Sequence, residues 1–271
     1  MELFKLVFFQ KALLACLFAG ITCGLVGVWI VIMKISFIGV AVSHAAFAGA
    51  LCALVMGQSV ILFSFLFSLM ACAVLGPLSD KGQIHPETSI GIVFSLTLGL
   101  AFLFMGMIPE GKSQALNLLW GSILTVSFGD IKLLAATSAM VILILVLFFK
   151  EIQAVVFNRQ LAKASGISAS FFFYIILLLT GVSVSSTLKS VGGLLVFALI
   201  INPAAAAYQI TYNIKKMYLI SVLFAIFSGW AGLFIAAFLN LPAGASIVLV
   251  SSMVFALAVI FSPKRFIKNI T

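Results

Sequence analysis

Residues 217–263 read MYLISVLFAIFSGWAGLFIAAFLNLPAGASIVLVSSMVFALAVIFSP, a run of 47 residues with no charged side chain. A helix needs about 20 mostly apolar residues to cross the hydrocarbon core of a bilayer. The run therefore holds two crossings, with a break at Asn240-Leu241-Pro242-Ala243-Gly244, where turn residues cluster. The rest of the chain agrees. Of its 271 residues, 64% are hydrophobic and 8% charged, and the mean hydropathy is +1.34. A water-soluble domain carries about 25% charged residues, and 15 basic plus 6 acidic side chains cannot cover one of this size. A soluble enzyme, a DNA-binding domain and a disordered chain are excluded as whole-chain readings. What remains is a single transmembrane domain over residues 1–271, an all-α polytopic integral membrane protein.

Charge is costly in hydrocarbon, so the gaps between charges mark the spans. Residues 12–33, 88–109, 133–149, 164–188 and 190–214 each predict one crossing, and 35–79 predicts two around Met56-Gly57-Gln58-Ser59. With the pair in 217–263 the count is nine, and eight is the nearest alternative. The run 113–129, dotted with Ser, Asn, Gln and Gly, predicts a short re-entrant or surface helix. Basic residues favour the cytoplasmic side. A cytoplasmic end carrying Lys264, Arg265 and Lys268 also puts Lys34, Lys81, Lys150, Arg159, Lys163, Lys215 and Lys216 inside, ten against five outside. This topology and anionic lipid account for the net charge of +9, which gives no reason to invoke nucleic acid. The first apolar stretch is long enough to span and has no cleavage region, so no cleavable signal peptide is expected. Cys16, Cys23, Cys52 and Cys72 lie in apolar runs without a CxxC pair and read as small buried hydrophobes.

Two motif matches mislead. Residues 106–113, Gly106 to Ser113, match GxxxxGK[ST], but a phosphate-binding loop joins a buried strand to a helix. Here the pattern closes an apolar helix. Asn202-Pro203-Ala204 matches the triplet of water channels, which carry two copies on opposed half-helices; this chain has one, in mid-run. Its plain reading is a proline kink whose freed carbonyl is satisfied by a neighbouring helix.

Catalytic options are thin. The acids Glu2, Asp80, Glu87, Glu110, Asp130 and Glu151 all lie in or beside loops, so no carboxylate pair sits within a span. Ion-coupled carriers usually place ionisable groups there, and only His44 is well inside one. On a helix His44 shares its face with Val40 and Ala48, with Ser36 two turns back. Neutral imidazole suits zinc, iron or nickel as a ligand in a translocation path; equally, such a histidine can simply hydrogen-bond a neighbouring helix. The stretch 150–167 differs in composition from its surroundings. Asn158 can N-cap a short helix that Gly166 terminates in the left-handed conformation, with Leu161 and Ala164 on one face. Such a helix can dock into a groove on a soluble partner or be an ordinary interfacial helix.

At these residues the chain resembles the membrane permease of bacterial ABC importers for zinc, manganese or iron. The resemblance covers roughly residues 12–260, in order. GLVGVWIVIMKISFIGVAVSHAAFAGA (24–50) is similar to the family's first two spans with their Ser-His-Ala segment. ETSIGIVFS (87–95), LLWGSILTVSFGD (118–130), KEIQAVVFNRQLAKASGIS (150–168), LKSVGGLLVFALIINPAAAA (188–207) and LNLPAGASIVLVSS (239–252) resemble its later segments. The resemblance implies a subunit of the bacterial cell membrane that works as a homodimer. Cytoplasmic ATP-binding subunits lie below it and an external solute-binding protein above, and a divalent metal ion is the substrate. It implies that ATP is used by the partner subunit, that no cofactor is bound by this chain, and that the chain is not itself an enzyme. Asn158, Leu161, Ala164 and Gly166 would then form the ATPase-coupling helix. His44 would be the metal residue, and Ser36, Val40, Gly192, Pro203, Pro242 and Gly244 would be path or structural positions.

The chain departs from that pattern where the family commonly has an acidic residue four before the histidine, here Val40. The usual proline near Ala48 and an acid near Asn240 are absent too. A transient or relocated site, or a somewhat different substrate, is expected. The alternatives are an importer of a metal chelate, an ATP-independent channel or facilitator, and a membrane-embedded enzyme, which the lack of any catalytic constellation disfavours.

Overall fold

The computed structural model describes residues 7–81, 85–108 and 126–264. Among them all regular structure is helical: α1 (Val7–Ile32), α2 (Ile38–Met56), α3 (Val60–Lys81), α4 (Pro86–Met107), α5 (Phe128–Leu147), α6 (Phe149–Phe157), α7 (Arg159–Ala164), α8 (Ala169–Val191), α9 (Gly193–Ile210), α10 (Ile214–Leu239) and α11 (Ala243–Ile260). Eight of these, α1 to α5 with α8, α10 and α11, are long and apolar enough to cross a membrane. The apolar α9, 18 residues with Pro203 inside it, is the helix that separates these eight from the nine expected.

The expected breaks hold. Gly57 closes α2 with φ +64, and Asn240 closes α10 with φ +52, ahead of Pro242 and α11. One span starts earlier than expected. The charge gap put it at 133–149, but α5 begins at Phe128. Ser127 and Asp130 form a capping box: the Ser127 hydroxyl accepts from Asp130 N–H, and the Asp130 carboxylate accepts from Ser127 N–H at 3.0 Å. A carboxylate in the first turn stabilises a helix N-terminus, where backbone N–H groups are unpaired and the dipole is positive. Charge counting ended one run at Asp130 and began this span after Lys132, to be extended somewhat at its ends; the extension takes in both residues, with Asp130 part of the cap. The expected surface helix lies mostly outside the described residues.

The core is built around α1, which packs against α5, α8, α9 and α10. Small residues allow this. A Cβ added to Gly27 would lie 2.0 Å from the Ile200 carbonyl oxygen, so the backbones of α1 and α9 touch there. Polar groups then tie the apolar helices together. Ser221 of α10 donates to the Gly24 carbonyl at 2.7 Å, and Trp29 donates to the Tyr218 hydroxyl at 2.7 Å. The Thr22 and Ser138 hydroxyls of α1 and α5 are 2.7 Å apart. A smaller apolar cluster stands apart from this core and unites Phe47, Ala48 and Leu51 of α2 with Ala101 of α4 and Ile108.

Candidate functional site

His44 stands in the second turn of α2, in a stretch of mostly small residues, VSHAAFAGA. The close approach that these residues allow is visible at Gly49, where a Cβ would lie 2.3 Å from the Phe63 carbonyl oxygen of α3. The His44 ring is half-buried. Its Nδ1 lies 3.0 Å from the Val40 carbonyl oxygen. That oxygen can only accept, so in the neutral ring Nδ1 carries the hydrogen and Nε2 keeps its lone pair. Phe94 of α4 meets the ring edge-on, with centroids 5.0 Å apart. The histidine is thus held by its own helix rather than by a neighbouring one, with one nitrogen left for a ligand.

The face that carries His44 changes along α2. Phe37 is 68% exposed, Val40 and His44 are half-buried, and Phe47 and Leu51 are buried. The face is open towards Lys34 and shut by α4 towards Gly57. Ser36 is half-buried in the turn that precedes α2. No group of three His, Cys, Asp or Glu side chains that could hold a metal occurs among the described residues. One imidazole is not a resident metal site, but it can serve an ion in transit. The four cysteines are buried and free.

The short helix α7 forms as its end residues predict. Asn158 Oδ1 accepts from Leu161 N–H at 3.0 Å. Gly166 has φ +82, and Ile167 N–H reaches back to the Ala162 carbonyl at 3.1 Å, the Schellman arrangement that satisfies terminal carbonyls. Ala162 is buried, while Leu161 and Ala164 are exposed, Leu161 by 66%. Arg159 lays its guanidinium 4.1 Å from the centre of the Phe173 ring and donates to Ser170, which fastens α7 to α8.

The other predicted positions belong to a second region. Gly192 has φ +92 at the junction of α8 and α9, a left-handed conformation that glycine adopts without strain. Pro203 is buried inside α9, and Pro242 is exposed at the entry to α11. Gly244 borders a cleft of about 590 Å³ between α9 and α11, together with Asn202, Phe197 and Ser252. Sequence reasoning missed two features. Phe94 gave no signal. Asn202, set aside with the channel triplet, donates to both Ser251 and Ser252 at 3.1 Å; two adjacent serines in an apolar run were the available hint.

The architecture has known counterparts. A solved structure described as PsaBC from Streptococcus pneumoniae in complex with Fab matches 99% of this chain and 97% of its own, with a TM-score of 0.87 and 31% identity. The manganese transport system membrane protein MntC of Listeria monocytogenes is 32% identical over 95% of this chain and 92% of its own length. The manganese import system permease protein ScaB of Streptococcus gordonii is 32% identical over 97% and 94%. An inward-facing putative metal-chelate type ABC transporter shares the fold, with a TM-score of 0.77 at 18% identity over 93% of this chain and 85% of its own. The profile of the ABC 3 transport family matches residues 5–262, nearly the whole sequence, and the chain belongs to that family of membrane transport proteins.

Proposed function

We propose that this chain is the membrane-spanning permease subunit of an ATP-binding cassette importer for divalent transition-metal ions, with manganese the first candidate. One observation carries the reading: relatives named for manganese import align with the chain from end to end. Two copies form the membrane unit, with ATP-binding subunits on the cytoplasmic side and a solute-binding protein outside. ATP is hydrolysed by the partner, and this chain performs no chemistry of its own. The capped helix α7 offers exposed Leu161 and Ala164 to the ATPase. His44 serves the ion in transit through Nε2, and a single neutral ligand suits rapid release. Among the described residues the carboxylates within spans, Glu87 and Asp130, stand in the first turns of their helices rather than at depth, which agrees with energy supplied by a separate subunit.

The test is uptake of radioactive manganese by proteoliposomes that contain the permease, its ATPase and its binding protein. Uptake should need ATP inside and binding protein outside. Uptake without ATP would make the chain a facilitator. Uptake of a chelate but not of the free ion would change the cargo.

A further inference from the structure

No aspartate or glutamate follows Glu151 in the chain, while eight basic residues do. Two of these, Lys216 and Lys264, stand at one end of the bundle. α10 and α11 form a hairpin turned at Asn240, so the start of α10 and the end of α11 share that end, which the basic excess assigns to the cytoplasm. Both positions are held. Asn213 Oδ1 caps α10, accepting from the Lys215 and Lys216 N–H groups at 3.0 and 3.3 Å. The Ser262 hydroxyl donates to the Gln209 carbonyl at 2.9 Å and ties the end of α11 to α9. Lys264 Nζ then donates to the Tyr208 carbonyl and stands 3.9 and 4.5 Å from the ring centres of Tyr208 and Tyr212. A carbonyl and two rings keep an ammonium in place without cancelling its charge. Lys215 turns to the Phe149 ring. Lys216, one residue on, is exposed and shares its face of α10 with Leu223 and Phe227.

Along the same hairpin runs an apolar groove of about 380 Å³, lined by Phe224 and Phe227 of α10, by Val254, Leu257 and Phe261, and by Ile210 from the end of α9. Phe261 is three residues before Lys264, and Ile210 is two before Tyr212. Phe227 is eleven residues past Lys216, roughly 16 Å of helix rise. That is about the depth of one leaflet, half of a hydrocarbon core ~30 Å thick. The groove therefore has the length of an acyl chain and the lysines lie at headgroup level, where tyrosine rings also settle. Apolar lining accepts any lipid tail, so the charge selects the headgroup. A zwitterionic choline lipid brings a cation of its own to the two lysines. A headgroup of net negative charge brings the counter-ion that this part of the chain lacks, and lysine binds phosphate as a point charge.

We propose that the cytoplasmic end of the α10–α11 hairpin is a binding site for one anionic phospholipid, with its phosphate between Lys216 and Lys264 and an acyl chain in the groove. The lipid fastens α10 to α11 where the chain itself provides no ion pair, whatever cargo the permease carries.

The test uses the full-length permease in mild detergent, with phosphatidylglycerol or phosphatidylcholine of equal chain length added and retained lipid read by native mass spectrometry. The wild-type chain should retain phosphatidylglycerol in preference. Lys216→Gln and Lys264→Gln should each lower that preference about fivefold, and Lys216→Arg should keep it. Leu257→Trp, which fills the groove and leaves both lysines in place, should lower phosphatidylglycerol retention severalfold. Glycerol phosphate, which has the charge but no chain, should not compete. Equal retention of the two lipids, or an unchanged preference in the double glutamine variant, would overturn the proposal. Competition by glycerol phosphate would reduce the site to an anion site without a role for the groove. The four native cysteines are buried, so Leu257→Cys can report on a second copy. Its rapid oxidative cross-linking to another permease chain would make the groove a subunit contact and overturn the proposal. Loss of ATPase pull-down in the glutamine variants with lipid preference intact would assign the lysines to that partner instead.

Discussion

α1 and α4 are nearly equal in hydropathy, yet α1 is 72% buried inside the bundle over its most apolar window and α4 only 22%. The difference lies in what their glycines meet. Gly20, Gly24 and Gly27 of α1 touch the backbones of α9 and α10, while Gly91, Gly99 and Gly106 of α4 have nothing within 4 Å of an added Cβ. In a membrane the solvent is as apolar as the core, so hydrophobicity alone does not say which helix lies inside. Close backbone approach does. α1 is the fixed scaffold. α4 rests chiefly on α2, through the small cluster of Phe47, Leu51 and Ala101 and through the Phe94–His44 contact, and is the more easily displaced of the two.

The largest test of that contrast exchanges glycines. Gly27→Val should abolish folded protein, because no rotamer removes a backbone atom 2.0 Å from the new Cβ. Gly99→Ala should be neutral or stabilise by about 0.4–1 kcal/mol, through lower entropy of the unfolded chain. Yield after detergent extraction and thermal unfolding measure both, and equal damage at the two sites would erase the distinction. Next in size is His44→Ala. Its hydrogen bond is to its own helix and it meets α4 only through the edge contact with Phe94, so the folded yield should be kept while manganese uptake falls at least tenfold. Unchanged uptake would remove His44 from the mechanism. Leu161→Asp should then weaken pull-down of the ATPase severalfold without altering permease stability, since Leu161 is 66% exposed. The smallest effect belongs to the cap of α5: Ser127→Ala should cost about 1 kcal/mol, read as a lower midpoint of thermal unfolding.

Much of the fold was legible because charge marks the loops and glycine or asparagine marks the ends. Gly57, Gly166 and Asn240 all stand in the left-handed region where the chain turns. Where the reading failed, one residue played two parts. Asp130 looked like the end of an apolar run and is instead a helix cap. His44 was readable as an ionisable residue in an apolar run, but its setting was not, because Phe94 comes from a helix 50 residues away. Asn202 was visible as an oddity in an apolar run. Its use depends on two serines 49 and 50 positions later, a pairing that only the packing of α9 on α11 creates.

The two fixed ends of α7 have a mechanical consequence. A six-residue helix on its own frays. Held by Asn158 at one end and by the Gly166 turn at the other, and bolted to α8 through Arg159, it has little compliance of its own. A push on Leu161 is then not absorbed by local unwinding. The next joint along the chain is at the far end of α8, where Gly192 takes φ +92 before α9 begins.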